Sequence, residues 1–175
     1  MKIGIDISQM AYQNTGVANY LKNLVENLIN IDTKNEYVLF YSSMRRKLPV
    51  YPFMSNRNVI VKHFRIPPKV LNLLWNRLHV LPIEGLIGDV DVFLTSDWAE
   101  PPAKKAKKAT ILYDLVVLKY PKETDKKIVR VQKKKLKWVQ KESDKIICIS
   151  NSTKKDAKEI LGISEDKLSV AYPGV

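Results

Sequence analysis

The stretch TSDWAEPP sets two carboxylates, Asp97 and Glu100, around the indole of Trp98. Carboxylates accept hydrogen bonds from sugar hydroxyls and an aromatic face stacks on a sugar ring, although the same residues also suit a solvated, capped loop. In LYDLVVLKYP, Tyr113 and Asp114 close an apolar run, where a charged residue is either a turn former or part of a site. A third stretch, QNTGVANY, puts Gly16 and Val17 where a loop enters a helix. Amides at a helix N-terminus attract anions and a glycine lets a phosphate approach the chain; an ordinary capped loop would read the same way. Neither G-x-G-x-x-G nor a Walker lysine pattern occurs, so nucleotide binding through those motifs is not supported. His63 and His79 are far apart, and no His/Cys/Asp spacing of a metal site is present, so no metal and no cofactor is expected. Cys148, the single cysteine, lies in the apolar run KIICIS and reads as a buried, inert thiol.

These residues act together only if the fold collects them. KIGIDIS at 2–8 reads as a buried strand, followed by a helix with Val17, Tyr20, Leu21, Leu24, Leu28 and Ile31 on its apolar side and Thr15 as N-cap. Further strands are expected at 36–42, 58–64, 90–96, 109–115, 144–150 and 167–173. Helices are expected after Pro67-Pro68, over about 122–142, and over 151–161 with Gly162 as its C-cap. In the long basic helix, Ile128, Val131, Leu136 and Val139 fall along one face. Strands alternating with helices in this way predict an α/β, Rossmann-like parallel sheet covered on both faces, in a single domain spanning 1–175. Such sheets bind ligands at the carboxyl ends of their strands, which directs attention to 6–16, 96–100, 113–118 and 150–152.

The chain has 175 residues, 45% of them hydrophobic, a globular composition with room for a real core. No apolar run is long enough for a membrane span and the opening MKIGIDIS is unlike a signal peptide, so a cytoplasmic location is expected. The net charge of +12 is unevenly placed: residues 104–145 hold 15 basic and 5 acidic side chains, whereas the rest hold 15 and 13. Lysines that merely keep a helix solvated would look like this, and so would a patch that attracts phosphate-rich partners.

The order IGIDIS, NTGVANYLKNLVENL, VDVFLTSDW, ILYDLVVLKYP and SDKIICISNSTKKDAKEILGISEDKLSVAYPGV resembles the N-terminal half of a family 4 (group 1) glycosyltransferase. The early motifs are loose. The closing one, an apolar strand ending in Ile-Ser, then Ser-x-x-x-x-Asp, Leu-Gly and Pro-Gly-Val, is tight. The resemblance implies half of a GT-B enzyme of the hexosyltransferase class, its C-terminal donor-binding domain absent from this chain, and the half by itself inactive. It implies retaining transfer from a nucleotide sugar to a glycan or lipid-linked acceptor, in surface polysaccharide or glycolipid synthesis.

Carried over residue by residue, the resemblance sets Gly16 and Val17 near the donor diphosphate and the acceptor. Asp97, Trp98, Ser150 and Asn151 fall on the acceptor side, with Ser152 the expected cap of the following helix. Many members have His-Asp-Leu where this chain has Tyr113-Asp114-Leu115. Tyr113 and Asp114 are therefore the catalytic candidates, and a tyrosine, with its pKa of about 10, is a poor general base at neutral pH. The resemblance also suggests a basic patch of Lys133, Lys134, Lys135 and Lys137 facing the inner leaflet of an anionic membrane, holding the protein there peripherally. The rival reading is a non-catalytic domain that binds sugar or nucleic acid through its basic face. Nucleic acid is the weaker partner, since no groove-reading or base-stacking motif is visible.

Overall fold

The computed structural model describes residues 1–174. Seven strands form one sheet: β1 (Lys2–Asp6), β2 (Glu36–Ser42), β3 (Val59–Phe64), β4 (Val92–Thr95), β5 (Lys107–Leu112), β6 (Lys145–Cys148) and β7 (Leu168–Val170). Their order is β3-β2-β1-β4-β5-β6-β7, and every neighbouring pair is parallel. The strand order therefore reverses between β1 and β4, which opens a crevice at their carboxyl ends.

The helices are α1 (Gly16–Ile31), α2 (Pro68–Leu71), α3 (Glu84–Ile87), α4 (Val116–Lys119), α5 (Lys126–Glu142) and α6 (Asn151–Leu161). α2 runs on into a π-helical turn, Asn72–Arg77. Thr15 caps α1 by accepting the Ala18 N–H at 3.2 Å, and Gly162 ends α6 in the left-handed region at φ 63°. The expected cap of α6 moves by two residues: Ser150, not Ser152, accepts the Thr153 N–H at 3.1 Å.

Two sheet faces give the core its layers. Against one, α1 buries Tyr20, Leu21, Val25 and Ile29 on Ile5, Leu39 and Ile111. Against the other, the π-helical turn brings Trp75 onto Phe40 and Phe93, while α5 and α6 bury Leu136, Val139, Ala157 and Leu161 around Ile146 and Cys148. Burial pushes the Cys148 thiol up to about 11, consistent with an inert sulfur. The apolar stripe of α1 is shorter than expected, because Ile31 in its last turn is 78% exposed. Gly4 is fixed by packing: a Cβ there would lie 2.6 Å from Phe93 Cδ2 and 2.9 Å from Ile87 Cδ1.

Candidate functional site

At the reversal of strand order, a cavity of about 270 Å³ is bounded by Asp6, the last residue of β1, and Ser8 beyond it, Ser42 and Ser43 at the end of β2, and Trp98 and Ala99 after β4. Pro68, Leu71 and Asn72 close it from the α2 side. Beside it, a second cavity of about 190 Å³ is lined by Asp97, Trp98, Tyr113, Asp114, Gln132 and Lys135. Trp98 forms a wall of both. The structure thus brings together four residues singled out in the sequence, two from the end of β4 and two from the end of β5.

Each is held differently. Tyr113 is 9% exposed; its hydroxyl is 3.1 Å from Ser96 Oγ and its ring meets Tyr20 edge-on at 5.6 Å. Burial lifts its phenol well above the ordinary value, so it stays protonated and able to donate. Its main-chain oxygen accepts from Thr153 Oγ1 at 3.0 Å, tying the end of β5 to the start of α6. Asp114 is exposed and accepts the Val116 N–H at 2.9 Å, so one of its oxygens starts α4. Asp97 accepts from Gln132 Nε2 at 3.2 Å; burial raises its pKa, against the pull of Lys135 and Gln132.

Glu100, read from the sequence as a partner of Asp97, belongs to the interior. It is fully buried, with one oxygen accepting from Thr95 Oγ1 at 2.7 Å and Thr110 Oγ1 at 3.2 Å. The other lies 3.0 Å from Lys108 Nζ, off hydrogen-bond alignment, so that contact is an ion pair. Lys108 in turn hydrogen-bonds Glu142 at 3.0 Å. Glu142 meets His79 Nε2 at 2.9 Å, and the His79 ring stacks on Trp138 at 3.5 Å. A chain of polar contacts therefore runs from the buried Glu100 and Lys108 behind Trp98 to the half-buried Glu142 in the last turn of α5. With no water-facing atom Glu100 lines neither cavity, whereas Asp97 and Asp114 both line the second.

Lys135 departs from its expected place in the basic patch. It is 2% exposed and Nζ donates to the Ser96 main-chain oxygen at 2.7 Å, so it points into the cavity floor. The helical period explains the correction: Lys135 lies next to Leu136 and one turn from Val139, the two apolar residues that α5 buries. Lys133 and Lys137 are exposed and Lys134 is half-buried. Ile128 and Val131, expected on the core stripe, instead line the two cavities.

Gly16 and Val17 open α1, a short step away. Thr15 occupies the Ala18 N–H, while the Gly16 and Val17 N–H groups have no partner among the described residues. A Cβ at Gly16 would meet nothing within 4 Å, so the fold does not require a glycine there. Ser150 is used up as the cap of α6 and Asn151 is its exposed first residue; neither lines the cavities.

One positioning residue had no sequence signal. Asn76, 2% exposed, donates to the Trp98 main-chain oxygen at 2.8 Å and accepts the Glu100 N–H at 2.9 Å, bracing the loop after β4. It faces inward because of the π-helical turn, whose wider winding cannot be read from residue spacing. Asp6, also buried, accepts the Ser8 N–H at 2.9 Å; burial raises its pKa, and the Lys135 charge opposes this. Among the described residues, no group of three or more His, Cys, Asp or Glu could hold a metal ion, and no helix is long and apolar enough to cross a membrane.

A family model described as Glycosyltransferase Family 4 matches residues 14–175. The chain belongs to that family, and its parallel α/β sheet is the architecture expected of it. No curated protein matches the sequence closely enough to stand as a relative. Glycosyl transfer, with a sugar donor and an acceptor, is the activity that family membership carries.

Proposed function

We propose that this family 4 domain is the acceptor-side half of a two-domain, retaining hexosyltransferase. It moves a sugar from a nucleotide-sugar donor to a glycan or lipid-linked acceptor in surface polysaccharide or glycolipid synthesis. The observation that carries the acceptor-side reading is the shared cavity of Asp97, Trp98, Tyr113 and Asp114 at the carboxyl ends of β4 and β5.

In this reading the indole of Trp98, 36% exposed, stacks on an acceptor sugar while Asp97 and Asp114 accept its hydroxyls. Neutral Tyr113 donates a hydrogen bond rather than removing a proton. The free Gly16 and Val17 amides and the positive end of α1 face the donor diphosphate. The acceptor oxygen bonds to the anomeric carbon on the face from which the diphosphate leaves. The carbon–oxygen bond breaks, the diphosphate keeps the electron pair, and the hydroxyl proton passes to the departing oxygen. Little covalent work falls to the protein, so positioning and electrostatics supply most of the rate. A donor-binding domain completes the site, and the present domain does not turn over without it.

The complete gene product should transfer label from one member of a nucleotide-sugar panel to acceptors in source-cell extracts. Tyr113→Phe and Asp114→Asn should each lower that rate at least tenfold. Unchanged rates in both variants would remove these residues from the acceptor site.

A further inference from the structure

The helix α1 carries Asn19, Asn23 and Asn27 at four-residue intervals, one per turn along a single exposed side. They form one wall of a groove of about 600 Å³ that begins at Gly16. The opposite wall includes Tyr113 and Tyr172, the second with 62% of its surface exposed. The floor is closed by Tyr20, whose hydroxyl donates to the Ala171 main-chain oxygen at 2.9 Å.

Among the described residues, none that lines this groove is charged, in a chain of net charge +12. The two cavities at the strand ends both carry charged side chains: Asp6 and Lys69 in one, Asp97, Asp114 and Lys135 in the other. The side-chain amides of Asn19 and Asn23 have no hydrogen-bond partner among the described residues, and Asn27 commits only Nδ2, to the Asn23 main-chain oxygen at 2.8 Å. An amide offers a donor and an acceptor side by side, the pattern that neighbouring hydroxyls complement. An anion would find no cation here, and a purely apolar ligand would strand the amides.

We infer that the α1 groove binds a neutral oligosaccharide, its asparagine ladder holding successive sugar hydroxyls and Tyr172 stacking on a ring. The inference rests on the glycosyltransferase reading and extends it. The groove starts at Gly16 and shares Tyr113 with the acceptor cavity, so it would hold the part of a long, uncharged acceptor that lies away from the reacting end.

The test is retention of the complete gene product on an array of neutral and anionic oligosaccharides, beside the variant N19A/N23A/N27A. Alanine is the strongest helix former and all three positions are exposed, so the variant should melt no lower than the parent. Retention on neutral glycans of three or more units, weak retention on single sugars, and at least a fivefold loss in the variant would support the inference. Equal retention on anionic glycans, no retention on any neutral glycan, or neutral retention untouched by the three substitutions would overturn it. Transfer from nucleotide sugars to the retained glycans is scored separately. Groove binding without transfer would refute the enzymatic reading alone, and transfer indifferent to the triple variant would refute the groove alone.

Discussion

Lys135 Nζ donates to the main-chain oxygen of Ser96 across 2.7 Å, carrying a cation from the middle of α5 to the end of β4. The Ser96 hydroxyl lies 3.1 Å from the Tyr113 hydroxyl, so this lysine supports the floor on which the four cavity residues stand.

Burial holds the Lys135 pKa below its ordinary 10.5, although the charges of Glu100, Asp97 and Asp6 oppose the shift. The ammonium is therefore harder to keep folded than unfolded. That cost is complete below the folded pKa and fades as pH rises through it toward 10.5. Lys135→Met should keep the fold and lower transfer at least tenfold, about 1.4 kcal/mol of barrier. Chemical unfolding from pH 7 to 10 should show wild type gaining on the variant as pH rises.

Lys108 stands 3.0 Å from both Glu100 and Glu142, and its side chain is 5% exposed. Lys108→Met leaves the fully buried Glu100 carboxylate without its cation and should cost about 3–5 kcal/mol in urea unfolding. Adding Glu100→Gln should recover more than half of that loss. A double variant no more stable than the single one would show that the pair is not coupled.

Gly4 and Gly16 should answer alanine in opposite ways. Gly4→Ala drives a Cβ into Phe93 and Ile87 and should destabilise the fold by about 1–3 kcal/mol. Gly16→Ala meets open space at the start of a helix, so its melting temperature should not fall. Its transfer rate should nevertheless drop several-fold if a diphosphate must approach there. Parallel melting and activity measurements separate the two glycines.

The sequence was most legible where one local rule decided the outcome. The span 36–42 is a strand, Thr15 and Gly162 cap their helices, and Tyr113 with Asp114 ends up beside Asp97 and Trp98. Lysine and glutamate were harder, because their burial depends on partners distant in the chain. Lys135 is held by Ser96, 39 residues away, and Glu100 meets Lys108 only because β4 and β5 pair in register. Asn76 was invisible because a π-helical turn does not follow the period by which helical faces are read.

The outward side of α5 keeps Lys126, Lys127, Arg130, Lys133 and Lys137 exposed, and none of them is in an ion pair among the described residues. At about 1 kcal/mol per lysine near an anionic surface, this side should sediment with phosphatidylserine vesicles at low salt. Lys133→Glu with Lys137→Glu should weaken that association more than tenfold, whereas Lys135→Met should not. Failure of the wild-type protein to sediment would exclude the membrane-facing patch.

The central claim, that the cavity at the ends of β4 and β5 is the acceptor site, is tested most directly by Asp97→Asn. Transfer rates would be measured from pH 4 to 8 in the complete gene product. Burial raises the Asp97 pKa above 3.8, so the wild-type rate should fall as pH drops through that raised value and the carboxylate is neutralised. The account predicts that Asp97→Asn loses at least tenfold at pH 7 with an unchanged melting temperature, and that the fall toward low pH is flattened. An Asp97→Asn protein with the wild-type rate and the wild-type pH profile would contradict it.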